Sequence, residues 1–565
     1  MNSESTKYHD PKIWDVIIAG GGLAGLTLAK QLRKEIPKIN ILVLEKNSET
    51  YPESTHKIGE SVSEIGAHYL REVLGLSNYL ENNHLKKFGF RFFFSEDTRK
   101  PFCERIEMGA KYGQPYPSHQ IDRGILENYL ISSLEKEVQI ERGVQIIGLV
   151  INNLKHKITV SSSNGNRVYH SKWFVDASGR RGFLRQKLNL KTELQHQINA
   201  VWFRTKQNIN VTNWSENQSW KDLLPNGKRR LSTNHVMGEG YWIWIIPLIS
   251  GSTSIGLVTD PNYVSFSKVN SLEKMMGWLE LNEPYVFDRL KDTIEDVLDF
   301  KSMQNFSYGC KQFYSSDRWC LTGDAGAFSD PFYSPGTDFI GFNNSWITDL
   351  IKKDLEGESL VLRTKVYEHV HQELINGWMQ LYRGKYQFFG KTQVMLFKIV
   401  WDWATYWSVP AKMFMNGGYK DLWVLKKYSS EEIGVKFDSL NKRMQEFFSD
   451  WGREEDPAKV FDPKFVNTFS VPFLKTFHED LKVNDNKDQL IIKVSNNIEK
   501  LERIAAGMKC IVFNHFKRLE LDTKIDPYTM NYHDNLEVLS LKSNSKFAVK
   551  SDKKMIDAIK SAWLY

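Results

Sequence analysis

The sequence predicts an α/β protein with a nucleotide-binding unit at its start, a β-rich region interleaved with that unit, and a mostly helical C-terminal region. Three observations predict it. A glycine-rich loop near the N-terminus joins a short apolar run to a helical pattern. Strand-length apolar runs, broken by Asn, Gly and Pro, recur between about residues 195 and 310. From about residue 380 the spacing is helical and heavily aromatic, with Trp401, Trp403, Tyr406, Trp407, Phe414 and Trp423.

Taken in order, Asp15-Val-Ile-Ile-Ala19 reads as a buried strand, Leu23–Leu32 as a helix and Ile41-Leu-Val-Leu-Glu45 as a second buried strand. A helical pattern follows from about Gly59 to Gly75, then strand composition from Phe88 to Phe94. Ile121–Leu134 reads as an amphipathic helix, Val138–Val160 as two or three strands, and Trp173–Asp176 as another buried strand. In the β-rich region Tyr241–Pro247 and Ser254–Val258 stand out. Trp319–Gly323 returns to the buried-strand style of the opening unit, and a long helix is expected after Thr337. The tail from about residue 520 carries no clear pattern. Residues 1–380 are therefore expected to form the core, with the second sheet drawn from about 80–120 and 185–310, and residues 381–565 the helical region.

Bulk composition bounds the function. The 565 residues are 41% hydrophobic and 25% charged, an ordinary globular mix. The net charge of +7, from 75 basic and 68 acidic residues, is mild for this length and calls for neither nucleic acid nor an anionic surface. The four cysteines are far apart, with no C-x-x-C, so neither a disulfide framework nor a metal site is expected. The N-terminus has no secretory pattern, and no window supplies the ~20 apolar residues of a membrane span. Val394–Trp407 comes nearest, but it contains Lys398 and Asp402. A cytoplasmic enzyme is expected.

Gly20-Gly21-Gly22-Leu23-Ala24-Gly25 fits G-x-G-x-x-G, with a strand before it and a helix after it. Gly20 permits the tight turn, Gly22 lets a pyrophosphate approach the backbone, and Gly25 lets helix pack on strand. The phosphates then meet the helix N-terminus, whose free N–H groups and dipole favour anions. Glu45 ends the second strand and is placed for ribose hydroxyls. This constellation makes a Rossmann-type unit but leaves FAD and NAD both open.

Further motifs resemble those of the flavoprotein hydroxylase superfamily. Leu321-Thr322-Gly323-Asp324-Ala325 is similar to its second FAD fingerprint, with Gly326 and Gly336 following. Gln120-Ile-Asp-Arg123 resembles the segment whose arginine contacts FAD at a helix start, Asp176-Ala-Ser-Gly179 the turn near the adenylate end, and Gly59-Glu60-Ser61 the loop flanking the flavin. The resemblance implies FAD held by Gly20, Gly22, Leu23, Ala24, Gly25, Glu45, Glu60, Ser61, Arg123, Asp324 and Gly336.

Within that superfamily, Trp242-Ile-Trp244-Ile-Ile246-Pro247 matches W-x-W-x-I-P, the mark of flavin-dependent halogenases. The family's two tryptophans keep organic substrate from the oxidising centre. In a strand Trp242 and Trp244 share one face and can wall one cavity, although Trp-Ile alternation also serves ordinary β packing. Lys87, in Lys86-Lys87-Phe88-Gly89, resembles the family lysine that holds hypohalous acid or carries the halogen as a haloamine, with Lys86 the alternative register. Asp330–Thr337 resembles the loop joining flavin and substrate sites. Pro335 lacks an N–H, which leaves Gly336 and Thr337 as halide donors. Tryptophan halogenases carry a glutamate in this loop; Tyr333 stands there instead, with Ser334 next, so free tryptophan is not the expected substrate and the partner of Lys87 stays open. The layout is closer to the phenol- or pyrrole-directed and aminopyrrolnitrin-type members.

The resemblance implies an enzyme that uses FADH2, O2 and halide on an electron-rich aromatic, free or tethered to a carrier protein. No separate NAD(P)H motif is evident, so a separate flavin reductase is expected. The alternative is a flavin monooxygenase or a geranylgeranyl-reductase-like oxidoreductase. A third possibility is an FAD-binding protein without catalysis.

Overall fold

The computed structural model describes residues 12–53, 57–454, 460–461, 463–517, 519–521, 523–550 and 553–561. Its first sheet has seven strands. Ile13–Ala19 lies parallel to Ile41–Glu45 on one side and to the end of Gly165–Asp176 on the other. Gln139–Arg142 extends the parallel set beyond Ile41–Glu45, and Trp319–Leu321 joins beside Phe174–Asp176. Ile41–Glu45 is buried throughout and Ile13–Ala19 nearly so. That is the pattern of parallel strands covered on both faces. Helices Leu23–Glu35 and Gly336–Leu355 pack against each other, with Asn344 Nδ2 donating to Thr27 Oγ1 at 3.0 Å and to the Ala24 carbonyl at 3.1 Å.

The second sheet has eight strands, ordered Val297–Met303, Asn199–Thr205, Thr253–Thr259, Tyr241–Pro247, Thr233–Gly238, Phe90–Phe94, Ile106–Gly109 and Phe465–Asn467. It is antiparallel except at two joints: Phe90–Phe94 runs parallel to Thr233–Gly238, and Phe465–Asn467 parallel to Ile106–Gly109. The period-2 alternation of Tyr241–Pro247 divides its side chains between two cores. Trp242, Trp244 and Ile246 enter the main core, while Tyr241, Ile243 and Ile245 enter a second cluster with Trp214, Trp220 and Trp278.

The C-terminal region is helical, with Val361–Tyr382, Thr392–Tyr406, Ile433–Gly452 and Lys487–Lys517 the longest elements. No helix is long and apolar enough to cross a membrane among the described residues. Lys398 and Asp402, one turn apart, form a buried ion pair at 2.5 Å. The region also contributes Phe465–Asn467 to the second sheet, a short strand without a sequence signal.

The helical pattern of 59–75 is realised only in part. The helix starts at Glu64 and passes at Tyr69 into a π-helical turn. Residues 58–62 are held extended because Ile121 N donates to Glu60 O (2.5 Å) and Val62 N to His119 O (3.1 Å). Gly59, at φ +94, opens this segment in a conformation few other residues adopt. Tertiary hydrogen bonding therefore overrides the local helical spacing.

Candidate active site

A cavity of about 580 Å³ lies at the C-terminal end of the first sheet's parallel strands, where ligands of open α/β sheets bind. The glycine loop forms one wall. Gly20 has φ +118, and a Cβ there would lie 2.3 Å from the Ala177 carbonyl oxygen. A Cβ on Gly25 would lie 2.0 Å from the Gly20 carbonyl, so the helix can approach the loop this closely only because residue 25 is glycine. A Cβ on Gly22 or Gly336 would meet nothing within 4 Å, and both residues line the cavity. The loop thus leaves a backbone cradle of the kind a pyrophosphate requires. Gly25→Ala is expected to push helix from strand, cost about 1–3 kcal/mol and weaken FAD retention by roughly tenfold. The fluorescence of flavin released on dilution reads this directly.

Glu45 is buried and its carboxylate fixes the loop, accepting from Gly21 N at 2.6 Å and from Asn47 N at 2.9 Å. Leu23, Ala24, Arg123 and Asp324 line the same cavity. Arg123 is held by Glu127, at 3.0 and 2.6 Å, and by the Ile58 carbonyl. Burial raises the Asp324 carboxyl, opposed by Arg123, Arg180 and Arg185. Arg180, Arg181 and Lys301 also line the cavity and add positive charge that the sequence motifs did not announce. The two arginines directly follow the Asp176–Gly179 turn, which was the available signal. Glycine cradle, buried Glu45, cationic rim and Asp324 together suit FAD.

Glu60 and Ser61 line the cavity but are committed to the protein: Glu60 Oε1 accepts from Arg204 Nε at 2.7 Å, and Ser61 Oγ lies 2.8 Å from Thr233 Oγ1. Trp242 and Trp244 line it from the second sheet, their rings 5.7 Å apart. Both indole N–H groups donate within the protein, Trp242 to Tyr386 (2.9 Å) and Trp244 to Ser254 (3.1 Å). What they present to the cavity is therefore aromatic surface. Tyr386 in turn donates to Asp330 at 2.7 Å, and His196 Nε2 sits 2.8 Å from the same carboxylate, which braces the first tryptophan. His235 packs 5.2 Å from Trp242 with its imidazole held to about 3 by burial, and so stays neutral.

A second, larger cavity of about 890 Å³ adjoins the first along two shared segments. Residues 59–61 face the first cavity and Ser63 and Glu64 the second. Ser334 to Thr337 face the first, while Tyr333 and Asp338 face the second. Lys87 abuts this partition through Val62 but is among the lining residues of neither cavity. It is 2% exposed, at the end of strand Leu85–Lys87. Its Nζ donates to the carbonyl of Val62, at 3.2 Å, and lies 3.6 Å from the ring of Phe90, which lines the second cavity. Burial lowers its amine to about 7, with Glu64 and Asp338 pulling it back up. Lys86, its neighbour, is exposed.

The acidic residues near Lys87 were not anticipated. Asp338 accepts from Ser63 Oγ (2.7 Å), Gly66 N (2.8 Å) and Tyr406 (2.8 Å), yet burial raises it to about 7. Burial would also raise Glu64, but the hydrogen bond and charge of His478, with Lys87 beyond, outweigh it and hold the carboxyl low. Tyr333 does not replace the missing glutamate as a partner of Lys87. Its hydroxyl donates to Asp402 at 2.9 Å, beside Lys398. Gly336 and Thr337 begin the helix Gly336–Leu355 at the wall of the first cavity, where no side chain caps the end.

Comparison with known proteins agrees with this geometry. A family model described as an FAD binding domain matches residues 14–265. The flavin-dependent halogenase chlA of Dictyostelium discoideum is 27% identical over 437 residues, covering 70% of each chain. The 1H-pyrrole-2-carbonyl peptidyl-carrier-protein brominase of Pseudoalteromonas luteoviolacea is 27% identical over 382 residues, covering 66% of this chain and 84% of that one. In structure, halogenase PltM, solved with phloroglucinol and FAD, aligns at TM-score 0.60 and 15% identity, over 86% of this chain and 96% of that one. A flavoprotein/dehydrogenase from Cytophaga hutchinsonii aligns at 0.55 and 19%, over 83% and 99%. These structural likenesses show a common fold.

Proposed function

We propose that this chain, a member of the flavin-dependent halogenase family, makes hypohalous acid in the first cavity and uses it on an electron-rich aromatic in the second, with Lys87 between them. When bound, FADH2 with O2 would supply the two-electron oxidation of halide, which with one proton gives hypohalous acid, water and FAD. A separate reductase provides the FADH2. Gly336 and Thr337 would offer halide their N–H groups at the uncapped helix start, where the dipole favours an anion. Trp242 and Trp244 occupy the wall with apolar surface and keep an organic ring away from the oxidant. The acceptor is a phenol or a comparable ring, free or carried by a partner protein. PltM's complex with phloroglucinol and the carrier-linked pyrrole of the Pseudoalteromonas enzyme support that class.

The observation that carries this reading is the buried amine at the partition. In water an ammonium would be solvated and inert; here burial holds Lys87 near neutrality, so a free amine is available at ordinary pH. It can take the halogen from hypohalous acid, releasing water, and pass it to the aromatic carbon as that carbon loses its proton. Acting as the free amine, Lys87 makes bromination rise with pH through about 7 and level off above it. Rates measured from about pH 5.5 to 8.5, with hypobromous acid formation followed separately, check this; a flat profile contradicts it.

The reading is tested with purified protein, FADH2, O2 and bromide, using monochlorodimedone or a panel of phenols as acceptors. Brominated product supports it. Hydroxylated product without bromine supports the monooxygenase alternative.

A further inference from the structure

We propose that Glu64, held in place by His478, is a catalytic residue of this site: from the wall of the second cavity it takes the proton that the acceptor carbon sheds and returns one to the Lys87 nitrogen. This rests on the halogenase reading. Passing the halogen from nitrogen to carbon leaves a proton balance to close. As the N–Br bond breaks and the C–Br bond forms, the ring carbon loses its proton. The nitrogen keeps the electron pair of the broken bond and needs a proton. One carboxylate beside both can serve both steps, so that bromoamine and arene become free amine and aryl bromide while Glu64 ends unchanged.

Glu64 is 5% exposed and lines the second cavity beside Ser63. Its carboxylate and the Lys87 amine feel each other's charge. His478, on the helix Pro472–Asp480, fixes it from behind. The imidazole Nδ1 accepts from Tyr116 N at 3.1 Å, so the ring carries a proton on Nε2, 3.1 Å from Glu64 Oε1. The rings of Trp407 and Phe469 stand edge-on to it at 4.6 and 5.2 Å and set its plane. His478 is therefore a positioning residue: it orients the carboxylate and keeps it ionised. The other acids of the cavity are occupied or exposed. Asp338 takes Ser63 and Gly66 on one oxygen and Tyr406 on the other. Asp402 takes Lys398, Tyr333 and Gln445. Glu373 and Asp438 are exposed.

The test supplies the full-length protein with FADH2, O2, bromide and either phenol or ring-deuterated phenol, at about pH 8.5, where the Lys87 amine is free. Glu64→Gln, which keeps the shape, is expected to lower bromination by about 10²-fold. Hypobromous acid release should persist, and a deuterium effect absent from the wild type should appear, because proton removal becomes the slow step. Losing the Glu64 charge would by itself favour the free amine, so a slower variant reports the missing base rather than a shifted lysine. His478→Leu should slow bromination and show the deuterium effect too, and it carries the test if Glu64→Gln does not fold. His478→Gln, whose amide can still donate, should retain most of the rate; equal rates for the two His478 variants overturn the positioning role. Glu64→Gln as fast as wild type, or slow without a deuterium effect, overturns the proposal and leaves the halogenase reading standing. Wild type that gives no brominated product refutes that reading itself.

Discussion

Lys87→Ala is expected to lower bromination of a phenolic acceptor by about 10²–10⁴-fold, the range of a positioned group that handles the transferred species. FAD binding, O2 consumption and release of the oxidant should persist, because the glycine loop, Arg123, Asp324 and the tryptophan wall do not depend on the amine. Removing it should not unfold the chain: its one hydrogen bond is to the Val62 carbonyl, and burying the amine costs desolvation rather than adding support. Lys86→Ala is the control, since Lys86 is exposed beside it. Mass analysis of the aromatic product, with peroxide or hypohalous acid assayed in parallel, separates lost transfer from lost oxidation. Normal bromination by Lys87→Ala, with failure of Lys86→Ala, would move the role to Lys86.

Glu107→Ala is expected to cost about 3–5 kcal/mol, read from the midpoint of denaturant unfolding. Glu107 is buried on Ile106–Gly109, and its carboxylate serves three donors: Arg91, Arg229 Nε at 3.0 and 3.2 Å, and Trp220 Nε1 at 2.7 Å. Removing it strands two buried guanidinium groups. Burial already lowers Arg91 to about 10, even with Glu107 beside it. The cluster holds Phe90–Phe94 to Ile106–Gly109 and to the chain before Thr233–Gly238, and so supports the segment bearing Lys87 and Phe90. Glu107→Gln, which keeps the shape without the charge, should fall between Ala and wild type. A cost under about 1 kcal/mol for Glu107→Ala would mean that the guanidinium groups find water.

Much of the flavin site was legible in the sequence because its motifs are local. Gly20 to Gly25 and Glu45 span one strand–helix–strand unit, and strand alternation alone put Trp242 and Trp244 on one face. Family context pointed to Lys87 but said nothing of its surroundings. Glu64 and Asp338 lie on different elements, brought to the partition by the packing of Gly66 against Thr337, where a Cβ on Gly66 would lie 2.8 Å from the threonine. Residues 59–62 read as helix since spacing is blind to the main-chain bonds that pull them straight. The second cavity was invisible for a related reason: Leu362, Val366, Val370 and Leu374 have the spacing of any amphipathic helix, and only the partly uncovered face distinguishes a cavity wall from core. Tyr333 marked a departure from the tryptophan halogenases, but its tie to Asp402 depended on a helix distant in sequence.

Oxidant and organic acceptor are assigned to different cavities, and a crystal structure of the protein with FAD, bromide and a resorcinol tests that separation most directly. The expected result has FAD along the glycine loop, its ring against Trp242 and Trp244, bromide at the N–H groups of Gly336 and Thr337, and the resorcinol beyond Lys87 among Glu64, Asp338 and Trp403. A resorcinol stacked on the flavin within the first cavity would contradict it.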